Sequence, residues 1–233
     1  MKTKLDINEI KDKIYLKLTP SGWAIKLRSF IYSKEFDDIL LALVKQVNDG
    51  KRFTPSLKNI FNAFEQCPYN ELKLVLVTHN INHKLESSTG IPYCSDDDNC
   101  LGAIYDEINR TVYNNTDSVK RLPDLTHWSK QGILLLNTNL TVTVGNLKYN
   151  RDIWDPFYKY LFDILSWNNP GLVYIFQGEN KKWDEFINDN NYKLYSSHPF
   201  TYINSNEKTW NSNNVFVEAG NIIEKNYNYL IKW

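Results

Sequence analysis

Short apolar runs punctuate the chain, and each breaks off into polar residues. They lie at Leu72 to Val77, at Ile133-Leu134-Leu135-Leu136, at Leu172-Val173-Tyr174-Ile175-Phe176 and, more briefly, at Lys193-Leu194-Tyr195. Continuous runs of this length suit strands covered on both faces rather than helices. Between them the apolar period lengthens to that of a helix. Ser33 to Val47 places Phe36, Ile39, Leu40, Leu43 and Val44 on one face, and Asn48-Asp49-Gly50 supplies a stop. Further helical patterns run from Ser56 to Phe64, Ala103 to Tyr113, Asp155 to Trp167, Lys181 to Ile187 and Val217 to Lys225. Strands alternating with helices predict an α/β fold, a three-layer α/β/α domain around a central, mostly parallel four-stranded sheet. With no repeat, low-complexity linker or shift in composition, residues 1–233 read as a single domain, with 1–21 as an N-terminal extension.

Composition narrows this picture. At 233 residues, 42% hydrophobic and 14% aromatic, the chain can bury one sizeable core. Lys+Arg and Asp+Glu each number 27, so no global field attracts nucleic acid, and any DNA contact must rest on local cations and neutral donors. The opening Met1-Lys2-Thr3-Lys4-Leu5-Asp6 lacks the apolar core of a signal peptide, and no later run approaches the ~20 residues of a membrane span. A cytoplasmic monomer without membrane contact is the expectation. Cys67, Cys94 and Cys100 match no metal-binding spacing, so free thiols are expected, with no metal and no cofactor. The acidic run Asp96-Asp97-Asp98 reads as a turn rather than a metal cluster.

In parallel sheets, sites form beyond the carboxyl ends of the strands. The first run delivers Thr78, His79, Asn80, Asn82 and His83, and the second Asn137 and Thr138. The third delivers Gln177, Gly178 and Glu179, and the fourth His198-Pro199-Phe200. Taken singly, Asn and His at such positions often do no more than satisfy turn backbone. Their convergence on one edge is the stronger signal.

Order and spacing then point to a family. Phe53-Thr54-Pro55-Ser56-Leu57-Lys58-Asn59-Ile60-Phe61-Asn62-Ala63-Phe64, followed by Leu72-Lys73-Leu74-Val75-Leu76, resembles the helix and first strand of family-one uracil-DNA glycosylases. His127-Trp128-Ser129-Lys130-Gln131-Gly132 leading into Ile133 to Thr138 is the most specific match. His198-Pro199 is similar to the His-Pro that opens the family's DNA-wedge loop, and the closing Ile231-Lys232-Trp233 is similar to its usual end. The resemblance spans residues 22–233 in the family's order.

What the resemblance implies is a DNA glycosylase that flips a pyrimidine out of DNA and hydrolyses its N-glycosidic bond without a metal. The family's Gly-Gln-Asp-Pro-Tyr-His loop falls on Thr78, His79, Asn80, Ile81, Asn82 and His83, of which only the last residue is retained. By the same correspondence, Tyr93 stacks on the flipped base, Asn137 reads the base edge and His198 hydrogen-bonds the base O2. Phe200, Thr201 and Tyr202 stand for the wedge's Ser, Pro and Leu, so Tyr202 fills the hole left by the flipped nucleotide. DNA is the implied partner, with His83 among the DNA-binding residues. Lys84, Ser87, Ser88, Ser205, Lys208 and Asn213 are further candidates for phosphate contact.

The departures bear on chemistry and on substrate. Asn80 replaces an Asp that orients water and offsets sugar cation charge; its amide orients but carries no charge. Branches of the superfamily with Asn there still cleave, and His79 is a further candidate for activating water. Asn82 replaces a Tyr whose ring blocks the C5 side of the base, leaving room and hydrogen-bonding capacity for a polar C5 substituent such as hydroxymethyl or a sugar built on it. Glu179 replaces a Ser near DNA phosphate, where a carboxylate repels the backbone unless it meets a sugar or a base-attached hydroxyl. The resulting expectation is a monofunctional glycosylase for a C5-modified pyrimidine, with a role in anti-phage defence. An ordinary uracil-DNA glycosylase and a catalytically silent DNA-binding module remain the alternatives.

Overall fold

The computed structural model describes residues 6–79, 88–94, 99–116, 119–145, 152–200 and 210–233. Strands β2 (Leu74–Thr78), β3 (Ile133–Asn137), β5 (Val173–Gln177) and β6 (Tyr192–Ser196) form a four-stranded sheet in the order β3-β2-β5-β6. Every neighbouring pair is parallel. All residues of β2, β3 and β5 are buried, which is why their sequences are apolar without alternation. The edge strand β6 is buried only at Leu194 and Ser196 and alternates accordingly. Two short strands, β1 (Phe53–Thr54) and β4 (Val142–Thr143), pair antiparallel as a separate ribbon.

Helices flank the sheet. These are α1 (Ile7–Leu18), α2 (Trp23–Ile31), α3 (Lys34–Asn48), α4 (Asn62–Gln66), α5 (Asn99–Thr111), α6 (Thr126–Ser129), α7 (Asp155–Asn168) and α8 (Val215–Tyr227). The predicted helix start at Ser33 is a side-chain cap, with its hydroxyl accepting from the Phe36 N–H at 3.2 Å. Helix α7 lays Phe162 against Tyr174 and Phe176 of β5 at 6.2 Å between centroids. Phe30, Phe61, Phe64 and Trp154 surround Phe157 in edge-on contacts, and Phe36 packs on Phe30 and Phe61, which ties α2, α3, α4 and α7 together. A second aromatic group, Trp128, Phe216 and Trp233, joins α6, α8 and the last residue.

Three expectations change. The expected N-terminal extension, described from residue 6, holds a packed helix: α1 is capped by Asp6 and buries Ile10, Ile14 and Leu18. The helix expected from Ser56 to Phe64 is broken into a 3-10 turn at Leu57–Asn59 and the short α4. Carbonyls that a continuous helix would use are engaged elsewhere, because Lys17 Nζ donates to Lys58 O and Gly90 packs directly on Asn59 O. The helix expected over Lys181 to Ile187 is a run of 3-10 turns, Gly178–Phe186. Its Asn180 folds back to donate to the Gln177 carbonyl at 2.8 Å. Among the described residues, no helix is long and apolar enough to cross a membrane.

Gly132 sets the register of β2 against β3. Its carbonyl accepts from the Lys73 and Leu74 N–H groups at 2.8 and 3.2 Å. Its φ is +89°, and a Cβ there would sit 1.9 Å from Glu71 O. Gly132→Ala is therefore expected to destabilise the fold by at least ~2 kcal/mol, read as a lower urea midpoint at unchanged slope. A midpoint within error of the parent would show that this junction does not fix the sheet.

Candidate active site

The sheet's register aligns a polar row. Thr78 is paired with Asn137 on one side, Gln177 lies one residue past the Val77–Phe176 pair on the other, and Gln177 pairs with Ser196. Residues in register across a parallel sheet point to the same face, so these four side chains line one edge. All four are buried. One step earlier along the strands the row is Leu136, Val77, Phe176 and Tyr195, so polarity begins abruptly at the carboxyl ends.

Tyr93 and His198 close over this row. The Tyr93 hydroxyl donates to Gln177 Oε1 at 2.6 Å and lies 3.0 Å from Thr78 Oγ1 and 3.2 Å from His198 Nε2. With its single proton committed to Gln177, the Tyr93 oxygen accepts from the Thr78 hydroxyl, whose own oxygen faces His198 Nε2 at 3.0 Å. Tyr93 adopts φ 59°, a left-handed conformation costly for an aromatic residue, and is 2% exposed. Its expected part as a stacking ring is thus accompanied by a polar one: its hydroxyl is the hub of the cluster.

His198 is held in one tautomer. The Phe200 N–H donates to His198 Nδ1 at 3.0 Å, so the ring proton of the neutral imidazole sits on Nε2, 3.0 Å from Thr78 Oγ1. Burial, helped by the neighbouring His79, pushes the His198 pKa down from 6.5 to about 3. The imidazole is therefore neutral at physiological pH and presents an N–H donor, not a cation.

His79 is exposed and packs its ring 4.6 Å from that of His198, with Nδ1 3.4 Å from Asn180 Nδ2. Gly178 permits this approach: a Cβ there would meet His79 Cε1 at 3.2 Å and His198 Cβ at 3.3 Å, at a φ of +64°. Asn180 also accepts from Thr138 Oγ1 at 2.8 Å, which links the ends of β3 and β5 behind the row. Asn137 is 6% exposed, its carbonyl accepts from the Tyr158 hydroxyl, and its Oδ1 has no hydrogen-bond partner.

Of the residues singled out in the sequence, His79, Tyr93, Asn137 and His198 thus lie along one edge of the sheet. Glu179 is exposed at the head of the 3-10 run, and Phe200 is 54% exposed with its backbone holding His198. Asn80, Asn82, His83, Thr201 and Tyr202 lie outside the described residues. Of the suggested phosphate contacts, Ser88 and Asn213 are described, and the Asn213 amide donates to the Tyr195 carbonyl at 3.3 Å. Thr78, Gln177 and Asn180 carry much of the cluster's hydrogen bonding but received no role from sequence. The signal available for them was the polar residue at or just after the end of an apolar run.

No family model matches the chain. By sequence, the uracil-DNA glycosylase of Francisella philomiragia is 30% identical over 174 residues, covering 70% of this chain and 78% of that protein. The uracil-DNA glycosylase of Acinetobacter baylyi is 27% identical over 196 residues, 81% of each chain. The crystal structure of mimivirus uracil-DNA glycosylase shares the fold, with a TM-score of 0.78 at 17% identity over 99% of this chain and 90% of that one.

The depressed His198 pKa makes the fold acid-sensitive. Unfolded chains protonate this residue near 6.5 while the folded one resists to about 3, so the unfolded state binds the extra proton between those values. Stability is full above pH 6.5 and falls as pH is lowered through this window, by up to ~1.4 kcal/mol per pH unit. His198→Asn is expected to lose less stability than the parent between pH 7 and pH 4.5 in urea titrations. Equal losses would mean that His198 titrates normally.

Proposed function

This chain belongs to the uracil-DNA glycosylase family, and we propose that it excises a pyrimidine base from DNA at the carboxyl edge of its sheet. The chemistry is hydrolysis of the bond between the sugar C1′ and the base nitrogen. The bonding electrons leave with the base, water supplies the hydroxyl that joins C1′, and the remaining proton ends on the departed base. The product is an abasic site.

The single observation that carries this reading is the buried, neutral His198 with its N–H on Nε2, beside the polar row that includes Asn137. Heterolysis places negative charge on the base, and the His198 N–H, held on Thr78 Oγ1 until a base arrives, is the neutral donor in a water-poor site that stabilises that charge. A neutral imidazole suits this task because it donates a hydrogen bond without having to be buried as a cation. Asn137 Oδ1, buried without a partner, accepts from a donor on the base edge. Reaching the site requires the nucleotide to leave the DNA stack, a cost of a few kcal/mol that Tyr93 and the wedge residue Tyr202 help to offset.

Within that reaction we assign Asn80 to orienting the attacking water and Asn82 to the C5 side of the base. An amide in place of a blocking ring favours a C5-modified pyrimidine, hydroxymethylated or glucosylated, as the preferred substrate. Such bases are abundant in bacteriophage genomes, and the matching role is anti-phage defence.

The test is a panel of oligonucleotides bearing uracil, thymine, hydroxymethyluracil, hydroxymethylcytosine or glucosylated hydroxymethylcytosine, scored for abasic sites. Hydroxymethylated or glucosylated bases are expected to be released, with His198→Ala slowing release ~100- to 1,000-fold and Asn80→Ala also slowing it. Release of uracil alone would remove the C5 assignment, and binding without release would make the protein a silent DNA-binding module. Full activity in both variants would place the site elsewhere.

The same neutral His198 predicts the pH profile. No ionisation of this residue falls between pH 5 and pH 8, so kcat/KM should show no limb that His198→Gln removes. A limb near 6.5 that disappears in that variant would contradict the neutral-donor role.

A further inference from the structure

The Tyr93 hub holds one half of an amide and leaves the other half idle. Gln177 is fully buried, and its Oε1 accepts from the Tyr93 hydroxyl at 2.6 Å, yet its Nε2 has no hydrogen-bond partner. Two strands away Asn137 Oδ1 is equally unpaired, and next to Gln177 in register Ser196 Oγ is a third unpaired atom. Buried polar atoms left without partners are uncommon, and an apolar side chain would fill the Gln177 position without that penalty. Three of them in one in-register row leave donor and acceptor capacity that a polar ligand entering the row satisfies.

Resting on the base-excising function above, we propose that Gln177 is a base-reading residue. Its Nε2 donates to a carbonyl or ring-nitrogen acceptor of the flipped pyrimidine, opposite the donor received by Asn137 Oδ1. The two residues stand on strands that flank β2, so their Cα atoms are ~10 Å apart with Thr78 between them, a spacing across which two amides can meet opposite edges of one six-membered ring lying over Thr78. The ligand class follows from the pairing: a planar heterocycle with an acceptor and a donor on its edge, as in pyrimidine bases.

Tyr93 is what makes the reading specific. With the Tyr93 proton on Oε1, Gln177 turns its Nε2 donor toward the base. His198 Nε2 and Thr78 Oγ1 hold the same hydroxyl, so the base-reading amide and the leaving-group donor share one hydrogen-bonded frame.

The experiment compares Gln177→Glu and Gln177→Leu with the parent. Gln177→Glu keeps the shape and an acceptor for Tyr93 while replacing the idle donor with an acceptor. Gln177→Leu removes both ends of the amide. Two properties are expected to weaken roughly tenfold to a hundredfold in each variant: kcat/KM for base release, and binding of the free pyrimidine base followed by NMR titration. Melting temperature and affinity for an oligonucleotide with a preformed abasic site, which presents no base to Gln177, should stay within twofold or a few degrees in at least Gln177→Glu.

Unchanged base binding in both variants overturns the proposal. So does a loss of base binding that is matched by equal losses of melting temperature and abasic-site affinity in both, the mark of a structural role. If the parent releases no base from any oligonucleotide, the excision function fails, while free-base binding that is present in the parent and lost in Gln177→Glu still upholds Gln177. A parent that neither releases nor binds any pyrimidine overturns both.

Discussion

A parallel sheet buried on both faces has nowhere to put polar chemistry except the ends of its strands. Here that constraint organises the candidate site. β2, β3 and β5 are apolar until their last residue, and the register brings Thr78, Asn137 and Gln177 level with one another and with Ser196 of β6. Shifting one strand by a single residue would turn a polar side chain to the opposite face and break the row. The backbone pairing set at Gly132 is thus a condition for the chemistry some five residues further along the strand.

Hydrogen-bond direction then converts this row into a site with a defined sense. The Phe200 amide fixes which nitrogen of His198 carries the proton, and the Tyr93 hydroxyl donates to the Oε1 end of Gln177. Neither device needs an ionised group. That fits a chain with equal numbers of acidic and basic residues, and it avoids the large penalty of burying charge without a partner. Gly178 belongs to the same frame, because a Cβ there would crowd His79 Cε1 and His198 Cβ over the end of β5.

The sheet was legible in the sequence because length and continuous apolarity are local signals, and so were α3, α7 and α8. What escaped was set by distant contacts. Nothing local announces that Lys17 takes the carbonyl of Lys58 or that Gly90 abuts Asn59, yet these contacts accompany the break in the helix expected from Ser56. α1 is the opposite case: Ile10, Ile14 and Leu18 repeat at helical spacing, and the pattern lay in a segment read as an extension. In the site, His79, Asn137 and His198 stood out by residue type at strand ends. Thr78 and Gln177 stood there too, but their weight comes from the Tyr93 hydroxyl, which reaches a partner 105 positions away.

Unpaired atoms in that row have an energetic meaning for the whole fold. Leaving a buried donor or acceptor without a partner costs ~1–3 kcal/mol, a large share of the ~5–15 kcal/mol that separates a typical folded domain from its unfolded chain. Such groups persist when the surrounding structure holds them in place, and here the frame is dense: Tyr158 on the Asn137 carbonyl, Tyr93 on Gln177, Asn180 on Thr138 and on the Gln177 carbonyl. In the reading proposed above, that frame favours a matching base, since the amides are held in place before it arrives. A base that fails to pair these amides would leave buried polar groups unmet, and that difference is the source of discrimination in the proposed reading.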